Sequence, residues 1–363
     1  MAKIIISGGG TGGHVFPAIA IADAVKKIQP DADILFVGAK GKIEMEKVPK
    51  AGYPIEGLWI SGFHRKLTLR NLLFPLKLLT SLWKARQIVS RFKPQVVIGV
   101  GGYASGPLLR AATDKGIPAL LQEQNSFAGV TNRLLANKAT KVCVAYEKME
   151  RYFPAGKIVL TGNPVRSDLA KLTVTAAEGL AHFGLEGGRK TIFVFGGSLG
   201  AKAINEAMAA NAELLRRQPE VQVLWQVGSL YEETYRDCAT AQLPNVKLRA
   251  FIDRMDLAYA MADLVICRAG ALTISELCLV GKAALLIPSP NVAENHQTKN
   301  ALALVEKEAA LLLPDKDAKE LIIAQALQLL NHEPQLEKLR QNIRKLARPD
   351  AAARIAEEVI KLI

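Results

Sequence analysis

Three short apolar runs each end in a glycine-rich turn that opens into a helical pattern. Ile4-Ile5-Ile6-Ser7 runs into Gly8-Gly9-Gly10-Thr11-Gly12-Gly13-His14, and Val96-Val97-Ile98-Gly99-Val100 runs into Gly101-Gly102-Tyr103-Ala104-Ser105-Gly106-Pro107. Ile192-Phe193-Val194-Phe195 runs into Gly196-Gly197-Ser198-Leu199-Gly200-Ala201. A strand that passes through glycines into a helix exposes bare backbone N–H groups beside a helix N-terminus, where an anion is favoured. One such turn says little, because glycine also makes tight turns for structural reasons. Two in the first half and one early in the second predict two similar domains around a phosphorylated ligand.

Strand-like and helical segments alternate along the whole chain. Continuous apolar character predicts buried parallel strands over 4–7, 34–37, 96–100, 119–122 and 142–145, then 191–195, 221–227, 246–250, 264–267 and 284–287. This is the βαβ pattern of an α/β protein with open parallel sheets. With 363 residues, two domains are the natural division. Thr161-Gly162-Asn163-Pro164-Val165-Arg166 is the best linker, giving domains over 1–163 and 164–350. A first helix is expected from about Phe16 to Ile28. The final helix, with Ile355, Val359 and Leu362 on one side, has no strand after it and is expected to pack back on the first domain. Ligands of such sheets bind outside the carboxyl ends of the strands, where all three glycine turns fall.

Half of the residues are hydrophobic and only 6% aromatic, which suits packed α/β layers and argues against disorder. A net charge of +13 predicts an anionic partner, without choosing among nucleic acid, an acidic membrane and a phosphorylated substrate. Cys143, Cys238, Cys267 and Cys278 lack metal-ligand spacing and read as free thiols of a reduced cytosol. Met1-Ala2-Lys3 leads straight into a strand with no signal-peptide layout, and no run reaches membrane-spanning length. A cytoplasmic protein, soluble or peripherally bound, is the expectation.

Gly8, Gly10 and Gly13 match the spacing of a dinucleotide fingerprint. That motif needs a carboxylate near the end of the second strand, and Gly38-Ala39-Lys40 supplies none there. His14 near a helix start favours the neutral imidazole of a general base, or else hydrogen-bonds the loop and fixes its shape. Ser198 suits a phosphate, or the N-cap of the next helix. Glu276 suits the hydroxyls of a ribose, although Thr273 and Glu276 also have capping-box spacing. Asp31-Ala32-Asp33 has the letters of a metal-binding pair but precedes its strand, at the wrong sheet edge. Asp315 and Asp317 read as an exposed turn. No metal site is expected.

Between Leu58 and Arg91, apolar Leu67, Leu69, Leu72, Leu73, Phe74, Leu76, Leu78, Leu79, Leu82 and Trp83 interleave with Arg65, Lys66, Arg70, Lys77, Lys84 and Arg86. Apolar bulk with a basic rim suits a membrane surface; the alternative is an amphipathic helix packed on the sheet. Pro75 is expected to break or kink the helix.

Taken in order, Gly9–Ala18, Gly101–Pro107, Glu123-Gln124-Asn125, Gly162–Arg166, Gly196–Ala201 and Cys267-Arg268-Ala269-Gly270-Ala271-Leu272-Thr273-Ile274-Ser275-Glu276 strongly resemble the MurG family over essentially the whole chain. These are bacterial transferases that make lipid II. The resemblance implies a GT-B fold: two Rossmann-like domains with a cleft between them and a C-terminal helix, 351–363, crossing back. It implies inverting transfer of N-acetylglucosamine from UDP-N-acetylglucosamine to the 4-hydroxyl of the muramoyl sugar of lipid I, for peptidoglycan synthesis. Glu276 would hold the ribose, Ile252 would offer its backbone to uracil, and Arg166, Ser198, Ala271, Leu272 and Thr273 would line the nucleotide and diphosphate. Gln297 would meet the donor sugar, and Thr11, Gly12, Gly13 and Asn125 would reach the ligand from the first domain. His14 is the first choice of base and Glu123 the second. Helix ends and backbone amides would hold the diphosphate with no cofactor. Leu72, Leu76, Leu79, Trp83, Lys77 and Lys84 would meet the anionic inner leaflet of the membrane, with no nucleic acid bound; cell-wall synthesis proteins are candidate partners. Two residues depart from the family pattern: Gln122 stands where a histidine often precedes Glu-Gln-Asn, and His296 where many relatives have glutamine. The alternatives are another enzyme on the scaffold, such as a glycolipid synthase or sugar-nucleotide epimerase, and a non-catalytic membrane adaptor.

Overall fold

The computed structural model describes residues 1–62, 73–165, 169 and 173–363. The chain divides into one compact unit of Met1–Arg166 with Arg348–Ile363, and a second of Ser167–Ala347.

The first unit is built on a parallel sheet of seven strands in the order β3-β2-β1-β4-β5-β6-β7. They are β1 (Lys3–Ser7), β2 (Asp33–Ala39), β3 (Ile55–Leu58), β4 (Val96–Gly99), β5 (Ala119–Glu123), β6 (Lys141–Val144) and β7 (Ile158–Leu160). The helices that matter for the site are α1 (Gly12–Ile28), α2 (Glu44–Lys50), α3 (Phe74–Phe92), α4 (Ser105–Thr113) and α5 (Val130–Leu135). Because strand side chains alternate, the apolar run after Lys3 serves both faces. Ile4 and Ile6 pack with α1 and with Ile355, Ala356 and Val359 of the terminal helix Ala351–Ile360. Ile5 packs on the other face with α3 and α4. Ile355 and Val359 are fully buried, each worth roughly 1.5–3 kcal/mol, which fastens the chain's end to its beginning.

The second unit holds a parallel sheet in the order β10-β9-β8-β11-β12-β13. Its strands are β8 (Lys190–Phe195), β9 (Val221–Gln226), β10 (Val246–Arg249), β11 (Leu264–Cys267), β12 (Ala283–Leu286) and β13 (Leu311–Leu312). The helices used below are α6 (Lys202–Ala210), α7 (Met255–Met261), α8 (Ala271–Val280) and α9 (His296–Val305). In each sheet the strand order reverses beside the first strand, at β1/β4 and at β8/β11. Crevices at such reversals are where open α/β sheets take ligands.

All ten expected strands are present. The three missed, β3, β7 and β13, are short flanking strands; Glu56-Gly57 interrupts the apolar run of the first, and the last has two residues. The first helix begins at Gly12, four residues earlier than expected, because Gly12 and Gly13 take helical conformation while Gly9 and Gly10 do not. His14 therefore lies in the first helical turn. Pro75 does not break its helix. It sits in the first turn of α3, where its missing N–H costs nothing.

Candidate active site

In the first unit the turn after β1 is braced from inside the protein. Glu44, at the start of α2, is 1% exposed. Its carboxylate accepts the Gly10 N–H and the Ala39 N–H, each at 2.9 Å. A Cβ at Gly9 would fall on this carboxylate, and one at Gly38 on its side chain, so both glycines make room for Glu44. The fingerprint's missing carboxylate thus arrives from five residues beyond Ala39, and it faces the turn. The turn after β4 lies against the turn after β1: at Gly102, with φ +88°, a Cβ would clash with the Gly9 carbonyl. These turns, expected as anion cradles, owe much of their glycine to packing on each other and on Glu44. His14 lies over Gly101, where a Cβ would stand 2.9 Å from Nε2. Its Nδ1 is 3.2 Å from the Gly9 carbonyl and 3.4 Å from Thr11 Oγ1. A carbonyl only accepts, so Nδ1 carries the hydrogen toward it, and Nε2 then bears the basic lone pair.

The end of β5 forms a buried amide network. Gln122 donates to Asn163 at 3.1 Å, Asn163 to the Gln124 carbonyl at 3.0 Å, and Gln124 to the Gln122 side chain. Gln122, in the position of the absent histidine, is therefore built into the sheet end. Glu123 is 2% exposed. One carboxylate oxygen accepts from Asn125 N at 3.1 Å and Asn125 Nδ2 at 3.3 Å; the other accepts from Gly129 N at 3.0 Å and Asn132 Nδ2 at 2.9 Å. Burial pushes its carboxyl above the usual range and these four donors offset part of that push. So many donors make Glu123 the organiser of the 124–129 loop and of Asn125.

In the second unit the turn after β8 is more open. Gly197, with φ +97°, would meet nothing within 4 Å if it carried a Cβ, while Gly200 is pressed against the Val227 carbonyl. Ser198 is exposed and does not cap a helix; α6 begins at Lys202 with Ala201 at its cap. Gln226, at the end of β9, donates to the Gly197 carbonyl at 3.1 Å and accepts the Ile252 N–H at 2.9 Å. The Ile252 N–H is thus committed within the protein.

Glu276 lies in the second turn of α8, with Gly270 at the cap, so no capping box forms with Thr273. Ala271, Leu272 and Thr273 are the first three helical residues, whose N–H groups have no carbonyl four residues behind them within the helix. Tyr259 donates to Glu276 Oε2 at 2.9 Å. Its ring packs edge-on against the stacked pair Phe193 and Phe195 of β8, which fixes the donor. Gln297, in the first turn of α9, accepts the Ser289 N–H at 2.8 Å. It lines a cleft of about 520 Å³ with Gly196, Gly200, Lys202, Arg268 and Asp315. Asp315, expected in an exposed turn, instead pairs with Arg268 at this cleft, both side chains largely buried.

The described residues thus gather Gly196–Gly200, Gln297 and the α8 start at the β8/β11 reversal, and His14, Thr11, Gly12 and Gly13 at the β1/β4 reversal. Arg166 and Leu72 lie outside the described residues. Sequence reasoning missed Glu44, Tyr259, Gln226 and Arg268. For Glu44 the signal was available: the first acidic residue after the β2 strand, following two glycines.

Glycine turns and helix starts at the reversals of two parallel sheets suit a phosphorylated ligand, and the fold by itself does not choose the reaction. Residues 4–144 match the glycosyltransferase family 28 N-terminal domain and residues 191–355 its C-terminal domain. The chain is 53% identical over 362 residues to the UDP-N-acetylglucosamine–N-acetylmuramyl-(pentapeptide) pyrophosphoryl-undecaprenol N-acetylglucosamine transferase of Bacteroides fragilis, covering 99% of this chain and 95% of that one. It is 54% identical over 361 residues to the transferase of the same name from Cytophaga hutchinsonii, covering 99% and 97%. The crystal structure of Acinetobacter baumannii MurG superposes with a TM-score of 0.79 at 30% identity, over 99% of this chain and 100% of that one. The chain belongs to the MurG family of glycosyltransferases, with the GT-B fold.

Proposed function

We propose that this enzyme transfers N-acetylglucosamine from UDP-N-acetylglucosamine to the 4-hydroxyl of the muramoyl sugar of lipid I, giving lipid II with inversion at the anomeric carbon. The observation that carries this reading is Glu276, held by Tyr259 beside the start of α8. A carboxylate there accepts both ribose hydroxyls, while the N–H groups of Ala271, Leu272 and Thr273 face the diphosphate with the helix dipole behind them. Ile252 takes the uracil N3–H on its carbonyl. Ser198 and Arg166 meet the diphosphate, and Gln297 meets the sugar.

In the transfer step the acceptor oxygen bonds to the anomeric carbon as its proton passes to His14 Nε2. The bond from that carbon to the diphosphate oxygen breaks, its electron pair leaving with UDP. The α8 amides act on the charge that develops there, so they favour the transition state over the ground state. Glu123 holds Asn125 toward the acceptor and takes no proton.

The lipid-linked acceptor calls for a membrane-facing surface. Among the described residues no helix is long and apolar enough to cross a membrane. Leu76, Leu79 and Trp83 form a stripe on α3, exposed by 51%, 65% and 64%, with Leu73 at its start. This stripe docks on the anionic inner leaflet. Lys77 and Lys84 were expected to meet lipid, but their ammonium groups reach back to Ser61 Oγ at 3.0 Å and the Gly57 carbonyl at 2.9 Å. Their first work is to hold α3 on the segment after β3.

Radiolabelled donor with a lipid I analogue tests the reading. A β-1,4 disaccharide product supports it, and consumption of UDP-N-acetylglucosamine without acceptor would mark an epimerase instead. His14→Ala is expected to lower kcat by roughly 10²–10⁴ with donor KM little changed; near-normal turnover would remove His14 as the base.

A further inference from the structure

Glu44 is a buried carboxylate that the transfer step above does not use, and its two bonds are to backbone. The Gly10 N–H that it accepts and the Gly9 carbonyl that faces His14 Nδ1 belong to one peptide group. The series runs from carboxylate to N–H, through the amide plane to C=O, and from there to the imidazole N–H. Hydrogen bonds in such a chain polarise one another, by about 10–30% per bond. We propose that Glu44 is a positioning residue for His14, acting through the Gly9–Gly10 peptide to fix the imidazole's tautomer and to steady the imidazolium formed when Nε2 takes the acceptor's proton.

Three features of the fold support this. The carboxylate is shut away from water, so its charge is little screened. Gly9 and Gly38, with no Cβ, let the Glu44 side chain lie directly on their backbones. Its second oxygen is tied to Ala39 at the end of β2, so the peptide group is referenced to the rigid sheet. The arrangement does the work of a carboxylate placed directly behind a histidine, with an amide between them. It also puts a negative charge against the turn after β1, which disfavours a diphosphate there.

The other ionisable groups on the elements that form this turn are Lys3 on β1, Asp23, Lys26 and Lys27 on α1, Lys40 and Lys42 before α2, Glu46, Lys47 and Lys50 on α2, and Tyr103 and Arg110 before and on α4. A substitution at Glu44 leaves all of them in place.

The inference rests on His14 being the base, and the test separates the two. Glu44→Gln removes the charge with the least change of shape. Its NH₂ meets one of the two N–H donors that the carboxylate took, so Tm is read alongside, and of the variant's readouts only the pH profile and the double variant decide. It is measured for kcat, for donor KM and for the pH profile of kcat/KM, alone and combined with His14→Ala. Expected are a fall in kcat of about tenfold, the scale on which losing the partner behind a histidine acts, and a donor KM within about twofold. The acid limb moves to lower pH, since removing a negative charge disfavours the protonated imidazole. In the His14→Ala background the further loss is under about twofold, because residues acting as a unit do not add. An unmoved acid limb, or the same loss in both backgrounds, would overturn the proposal and leave His14 as the base. High turnover of His14→Ala would instead overturn the base assignment. The wild-type enzyme gives a check that does not depend on the variant folding: imidazole ¹⁵N shifts should show His14 with its hydrogen on Nδ1 near neutral pH, and a hydrogen on Nε2 alone would sink the idea.

Discussion

In the first domain the turn after β1 lies on the turn after β4, Gly102 against Gly9, and a carboxylate of the same domain takes the Gly10 N–H. In the second domain the turn after β8 leaves open space beside Gly197, and the neighbouring turn after β11 feeds a helix start next to Glu276. Both turns use glycine for packing, at Gly9 and Gly102 in the first and at Gly196 and Gly200 in the second. They differ in what they carry: the first is covered by His14 over Gly101, whereas the second leaves Gly197 beside the exposed Ser198. A carboxylate accompanies each: Glu44 or Glu123 is spent on the protein's own N–H groups, whereas Glu276 takes the Tyr259 hydroxyl.

The sharpest test of this contrast is a pair of alanines. Gly102→Ala adds a Cβ against the Gly9 backbone at a φ of +88°, so strain and overpacking together should cost about 2–6 kcal/mol. Gly197→Ala adds only the strain of φ +97°, about 1–3 kcal/mol. Thermal melting should rank them in that order; equal losses would mean that the first turn is not packed as described. Next, Glu276→Ala should raise donor KM about 10- to 100-fold, matching the loss of hydrogen bonds to a charged group at about 1.5–3 kcal/mol, with Tm little altered. Glu123→Gln should do the reverse, lowering stability by about 1–3 kcal/mol because an amide NH₂ would face two donors, with UDP binding kept. Isothermal titration and urea melts read both.

Replacing Leu79 and Trp83 with Ser should weaken sedimentation with anionic liposomes several-fold and leave UDP affinity unchanged, since both lie on α3 in the first domain. Unchanged sedimentation would break the assignment of that face. The smallest expected effect is pH-linked. Because Glu123 is raised in the folded state, it keeps its proton where the unfolded chain, near an ordinary carboxylate value of about 4.3, has lost it. Its contribution is full below that value and fades as pH rises, so the stability advantage of wild type over Glu123→Gln should be larger at pH 5 than at pH 7.5.

The strands were legible because buried parallel strands are continuous apolar runs, and each long one was placed to within a residue or two. The short edges escaped for the opposite reason: Ile158–Leu160 and Leu311–Leu312 offer too few residues to show a period. Local rules misjudged several sites by assuming the helix start. Thr273 and Glu276 have capping-box spacing, yet the helix starts at Ala271, and Ser198 suits a cap, yet the helix waits for Lys202. In each case glycine before the helix moved the boundary away from the residue that composition favoured.

By itself the sequence determined the two-sheet architecture, the sheet edge at which the glycine turns fall and the family to which the chain belongs. Each of these is written in periodicity and in motifs only a few residues long. Which donors and acceptors are already spent was decided by the tertiary structure alone. Glu44 meets Gly10 across 34 positions and Gln226 meets Ile252 across 26, and such pairings follow from how strands and turns pack in space, which no local pattern encodes.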